Sequence, residues 1–147
     1  MRIRFSSEAP AEAKQVVREL LYHNPAQHKV RHGIVTTLQK HGDLQVTEHG
    51  NGLQVAVTRR ECQTLFAFDD DSNPRLPVGI LVFTRMSHEE MNILHIAVQD
   101  DYALQPGGDM GLALRLVETL QGICRRVNGV KTITFSYRQQ ISLKCHS

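Results

Sequence analysis

The chain has 147 residues, 41% of them hydrophobic and 22% charged, with a formal net charge of +2. That length and composition suit one folded domain and exclude a disordered, highly charged tail. Basic residues are scattered in pairs (Arg2/Arg4, Arg59/Arg60, Arg125/Arg126) without interleaved aromatics, and Trp is absent, so no nucleic-acid partner is expected.

Cys62, Cys124 and Cys145 are odd in number and widely spaced, unlike a secreted disulfide framework. The start, Met1-Arg-Ile-Arg-Phe5, lacks the apolar run of a signal peptide. The longest apolar stretch, residues 78–83, is too short to span a bilayer. The expectation is a cytoplasmic protein with no membrane partner. His23/His28, His32/His41/His49 and Cys145-His146 match no metal-ligand spacing, so no metal is expected either.

Ile3 and Phe5 alternate with Arg2 and Arg4, which predicts a short half-buried strand. Ser7 or Glu8, with Pro10, marks a helix start. Ala13, Val16, Val17, Leu20 and Leu21 then recur at helical spacing until Asn24-Pro25. A second helical stripe carries Val30, Ile34, Thr37 and Leu38, with Gly42 as its stop. Leu44 and Val46, then Leu53, Val55 and Val57, alternate around His49-Gly50-Asn51-Gly52. Asn-Gly in that setting predicts a hairpin, because both central residues accept positive φ.

Residues 64–68 predict another strand and 69–74 a polar turn. Residues 78–83 and 91–98 are apolar at nearly every position, the pattern of strands covered on both faces. After a break at Gln105-Pro-Gly-Gly108, the residues Ala113, Leu116, Val117, Leu120, Ile123, Cys124 and Val127 form one stripe of a long helix. Asn128-Gly129 caps it, and a strand follows over residues 130–137. That last strand–helix–strand segment has the length of a parallel crossover. The expected fold is a single α/β domain of the α+β type over residues 1–147, with a mixed twisted sheet of about six or seven strands and helices on both faces.

The segment most informative about chemistry is the apolar strand 92–98, the polar stretch 99–103 and the glycine-rich turn Gly107-Gly-Asp-Met-Gly-Leu-Ala113. A buried strand feeding a glycine-rich turn into a helix is a device for holding phosphate. Glycines allow close backbone approach, and the N–H groups of the first helical turn point at the anion, assisted by the helix dipole. The same glycines also serve a plain loop that enters a helix tightly.

The order of elements from Leu65 through the long helix resembles the GNAT superfamily of acyl-CoA-dependent N-acyltransferases, and residues 1–137 can be laid on that pattern. The resemblance implies acetyl-CoA or another acyl-CoA as co-substrate and an amine, small-molecule or peptide, as acceptor. It also implies a bulge that splays the strand 92–98 from the strand after the helix. The pantetheine arm would lie in that cleft against backbone groups of Ile96, Ala97 and Val98. The family's pyrophosphate turn falls on Gly108, Asp109, Met110, Gly111, Leu112 and Ala113, with Gly108 where the family has Arg or Gln, and Gly107 before it is a further cofactor-binding candidate.

Acylation of an amine needs a base, donors for the thioester oxyanion and an acid for the departing thiolate. Many family members carry Glu at the position of Asn92. Here Glu90, two residues earlier on the same strand face, is the nearest carboxylate, and His95 is the other candidate base. Tyr137, at the end of the last strand, is the candidate acid. The family's last helix and closing strand pair have no counterpart after residue 137, and the 44–58 hairpin stands as an insertion. Residues 132–135 would then leave an open sheet edge to which a second copy could pair. The missing elements and Asn92 also fit a second reading, a non-catalytic GNAT-like module that binds CoA or a protein.

Overall fold

A computed structural model describes residues 2–22, 44–50, 52–57, 62–99, 102, 111–135 and 142–144. The expected second helix and the residues from 103 to 110 lie outside these. In chain order the elements are β1 (Ile3–Ser6), a 3-10 turn (Ala11–Ala13), α1 (Lys14–Tyr22), β2 (Leu44–His49), β3 (Gly52–Val57), β4 (Gln63–Asp69), β5 (Gly79–Arg85), β6 (Glu90–Val98), α2 (Leu112–Arg126), β7 (Thr132–Phe135) and β8 (Ser142–Lys144).

Six strands form one sheet in the order β1-β4-β5-β6-β7-β8, and β2 and β3 form a separate hairpin. The pairings are antiparallel except β6 with β7, which run parallel because α2 carries the chain back to the sheet's starting end. The mixed sheet with a helix on each face is the architecture expected above. The 132–135 segment is not an open edge, however: β8 pairs antiparallel with β7 from Thr132↔Lys144 to Thr134↔Ser142. The anticipated second copy therefore finds that edge already taken.

Strand alternation divides the core into two layers. On one face Leu65, Ala67, Leu81, Phe83, Met91, Ile93 and Ile133 pack against Leu112, Leu116, Val117, Leu120 and Cys124 of α2. On the other, Phe66, Phe68, Ile80, Val82, Leu94 and Ala97 pack against Ala13 of the 3-10 turn and Val17, Leu20 and Leu21 of α1. This arrangement explains why β5 is buried at six successive positions: both of its faces are interior.

The β2–β3 hairpin lies on the α1 face, with Val55 buried and Val46 and Leu53 against the same cluster. It is tied to the segment before α1 by the Leu53 N–H, which donates to the Ala9 carbonyl at 3.0 Å. Its register pairs His49 with Gly52, so Gly52 belongs to the strand and not to the turn as the Asn-Gly reading has it, and Gly50 takes φ +62°.

The outer strand β1 is fastened to the β4–β5 turn by charge. Arg4 Nε donates to Asp70 at 3.1 Å, Arg4 Nη2 donates to the Pro74 carbonyl at 2.8 Å, and the Arg4 guanidinium lies 4.4 Å from the Phe68 ring centre. Arg2 Nε lies 3.1 Å from Asp71 Oδ1.

Candidate functional site

The register of β5 against β6 slips by one residue. Val82 faces His95 and Phe83 faces Ile93, which leaves Leu94 as an extra residue on β6. A bulge of this kind bends its strand, sharpens the local twist and changes the phase of side-chain alternation. Before it, Met91 and Ile93 face α2 and Glu90 and Asn92 the α1 side. After it, Leu94 and His95 both turn to the α1 side, and Ile96 and Val98 face α2.

The parallel pairing of β6 with β7 runs from Glu90↔Thr132 to Ile93↔Phe135, and among the described residues no strand pairs with that side of β6 after the bulge. Ile96, Ala97 and Val98 lie in this second half, held on their other side by Leu81, Ile80 and Gly79. In an antiparallel pair every other residue turns its N–H and C=O away from the partner strand. This stretch of β6 therefore directs backbone donors and acceptors toward the gap side of the sheet.

The helix that follows begins at the same place. Gly111 has φ +62° and ψ −133°, a conformation open to glycine alone, and it stands at the N-cap of α2 without a side-chain cap. The first turn of α2 carries no acidic residue, and Arg125 and Arg126 sit in its last turn, so among the described residues its dipole is complemented at the C-terminal end. Leu112 and Ala113, the first helical residues, are buried and half-buried.

Gly79 sets this proximity. A methyl group there would lie 3.2 Å from both Leu112 and Val98 and 3.3 Å from Leu116. The missing side chain thus lets the start of α2 and the end of β6 converge on one point of β5. Gly107, Gly108, Asp109 and Met110 lie outside the described residues, as does Tyr137.

Tyr102 has a place that its sequence context does not announce. Its hydroxyl donates to Asp69 Oδ2 at 2.7 Å, which fastens the segment after β6 to the end of β4. This bond, with N–H groups donated by the backbone, holds the buried Asp69 carboxyl below the usual aspartate range.

The two candidate bases differ sharply. His95 is fully buried, and its Nε2 lies 3.4 Å from the Leu20 carbonyl oxygen. Because that oxygen can only accept, Nε2 carries the proton. Burial pushes the His95 pKa down to about 4, the carbonyl offsetting this only in part, so the ring is neutral at neutral pH. Glu90 is half-buried at the start of β6. The Thr134 hydroxyl on β7 donates to Glu90 Oε2 at 3.0 Å, and Asn92 Nδ2 donates to Thr134 Oγ1 at 2.7 Å. Thr134 is the cross-strand partner of Asn92 in the parallel ladder, a neighbour that no local pattern in the sequence reveals.

Among the described residues no three His, Cys, Asp or Glu side chains gather as a metal site, and no helix is long and apolar enough to cross a membrane.

No family model matches the chain, and no curated protein does. Solved structures do. A GNAT family acetyltransferase from Elizabethkingia anophelis, crystallised with acetyl-CoA bound, superposes with a TM-score of 0.50 at 13% identity. It covers 90% of this chain, which spans only 63% of that protein's length. A GNAT family acetyltransferase from Staphylococcus aureus gives a TM-score of 0.53 at 14% identity, covering 91% of this chain and 72% of its own. An acetyltransferase from Streptococcus agalactiae gives 0.55 at 13% identity, with 90% and 71% covered. At such identities the agreement concerns backbone architecture, and with the bulged β6, the parallel β7 and the intervening α2 it leads to one conclusion: this chain has the GNAT acetyltransferase fold.

Proposed function

We propose that the chain binds acetyl-CoA or another acyl-CoA and transfers the acyl group to an amine. One observation carries the reading: among the described residues the β6–β7 pairing runs no further than Ile93, beside the bulge at Leu94, and the glycine-entered N-terminus of α2 meets the far end of the remaining half of β6 at Val98. The backbone of Ile96, Ala97 and Val98 would hold the pantetheine arm and the thioester carbonyl. The turn ending at Gly111, with the amides of Leu112 and Ala113, would take the pyrophosphate. Glu90 would be the base that removes a proton from the attacking amine, since His95 is sealed beneath α1 and already disfavours a proton. The amine nitrogen would attack the thioester carbonyl directly, and the thiolate would leave with a proton supplied by an acid, for which Tyr137 is the candidate.

Titration with coenzyme A tests the binding step. The amide resonances of Val98 and Gly111 are expected to move, and acetyl-CoA at a hundredfold excess over its Kd should stabilise the fold by about 2.7 kcal/mol. Unmoved resonances at millimolar coenzyme A would remove the reading. Asn92, at a position where the resemblance implies Glu in many family members, favours the second reading of a non-catalytic CoA-binding module. Release of CoA thiol in the presence of amines separates the two, because only the enzyme produces it.

A further inference from the structure

The hydrogen-bond chain across β6 and β7 has a direction fixed by its chemistry. A carboxylate can only accept, so the contact between Thr134 Oγ1 and Glu90 Oε2 must use the single hydroxyl proton of Thr134. With that proton committed, only a donor can satisfy the remaining lone pairs of Thr134 Oγ1, and the group 2.7 Å away is the side-chain amide of Asn92. Asn92 is 6% exposed, so this amide is held by its burial and by the parallel ladder that pairs it with Thr134.

We infer that Thr134 is a positioning residue for Glu90, and that Asn92 keeps the Thr134 hydroxyl turned toward the carboxylate. The inference rests on the reading of Glu90 as the base. A glutamate at the start of a strand has three side-chain torsions to fix, and a carboxylate that wanders spends little time within reach of an amine. Thr134 lies on the neighbouring strand, 44 residues along the chain, and donates to one carboxylate oxygen. The other oxygen, Oε1, is then the one presented to an incoming amine. Asn92 sharpens the arrangement: an acid at that position would compete for the same hydroxyl proton, whereas an amide releases it to Glu90. Thr134 and Asn92 thus hold the Glu90 carboxylate at the start of β6.

The test compares the full chain with Glu90→Gln, Thr134→Val and Thr134→Ser. CoA release from acetyl-CoA is measured with spermidine, tyramine and a lysine-containing peptide as acceptors. Thr134→Val keeps the shape of the side chain and loses the hydroxyl. It is expected to lower kcat about tenfold or more while the KM for acetyl-CoA stays unchanged, as misplacement of a catalytic group does. Thr134→Ser restores the hydroxyl and should recover kcat to within about threefold of the parent. Glu90→Gln should lower kcat by about a hundredfold or more.

If Thr134→Val turns over like the parent while Glu90→Gln does not, Glu90 stands as the base and the positioning role is overturned. If Glu90→Gln is fully active, the base reading falls and takes the inference with it. A parent chain that releases no CoA with any of the three amines overturns both. The Asn92 side-chain amide gives a reading independent of turnover. Its resonances should shift in Thr134→Val and stay in place in Thr134→Ser, and an unshifted signal in Thr134→Val would mean that the bonded chain does not form.

Discussion

A threonine hydroxyl has one proton, and on β6 two side chains lie within reach of it. The described structure resolves this competition by making one of them a donor: Asn92 gives a hydrogen to Thr134, and Thr134 gives its own to Glu90. Asn92→Asp would replace the donor with a second acceptor at a nearly buried site, leaving an unsatisfied, charged carboxylate beside Glu90. The expected cost is about 2 kcal/mol of stability, the scale of a buried polar group without its partner. Urea denaturation should show it as a lower midpoint at unchanged slope. Equal midpoints would mean that Asn92 is not engaged as described. Side-chain identity at position 92 was visible in the sequence, but its consequence was not, because Thr134 reaches it only through a parallel ladder closed after α2.

Among the elements, the meeting of α2 with β5 and β6 has a simple determinant. Gly79 leaves room for Leu112, Val98 and Leu116 to approach within 3.2–3.3 Å of where a methyl would stand. Gly79→Ala should push the first turn of α2 outward, costing about 1 kcal/mol of stability by overpacking and weakening acetyl-CoA binding as well. Calorimetric titration of acetyl-CoA would measure the second effect. Unaltered affinity would show that the α2 terminus is not part of the nucleotide site.

The helices and most strands were legible because each has an apolar period of its own: α1 and α2 at helical spacing, β4 and β5 as apolar runs. The bulge was not legible from periodicity. Residues 93–98 are apolar on both sides of His95, so either phase of alternation fits the sequence equally well, and only the family resemblance pointed to a splay there. β8 was missed for a different reason, since three residues with a single apolar Leu143 give no period to read. The glycine-rich turn was legible as composition, but of the residues proposed to face the pyrophosphate the structure describes Gly111, Leu112 and Ala113.

For the molecule as a whole, the bulge also places an ionisable ring in the interior between sheet and α1. The folded-state pKa of His95, about 4, lies below the ordinary value of 6.5. Between these values the unfolded chain binds more protons than the folded one, so stability rises with pH across that window. It is complete above about pH 6.5 and is lost progressively as the pH falls toward 4, by an amount on the order of 3 kcal/mol. His95→Gln keeps a donor for the Leu20 carbonyl and removes the titration. Its unfolding free energy should therefore vary less than the parent's between pH 6.5 and 4, and parallel pH profiles would contradict the account.

The ionic fastening of β1 has a further consequence that its energetics alone would not suggest. Exposed ion pairs such as Arg2–Asp71 and Arg4–Asp70 add little to folding free energy. They do stud the outermost ribbon of the described sheet with guanidinium groups, which a foreign polypeptide would have to strip of water before it could zip alongside. The expected contribution of these two arginines is resistance to fibrillar self-stacking, rather than added rigidity.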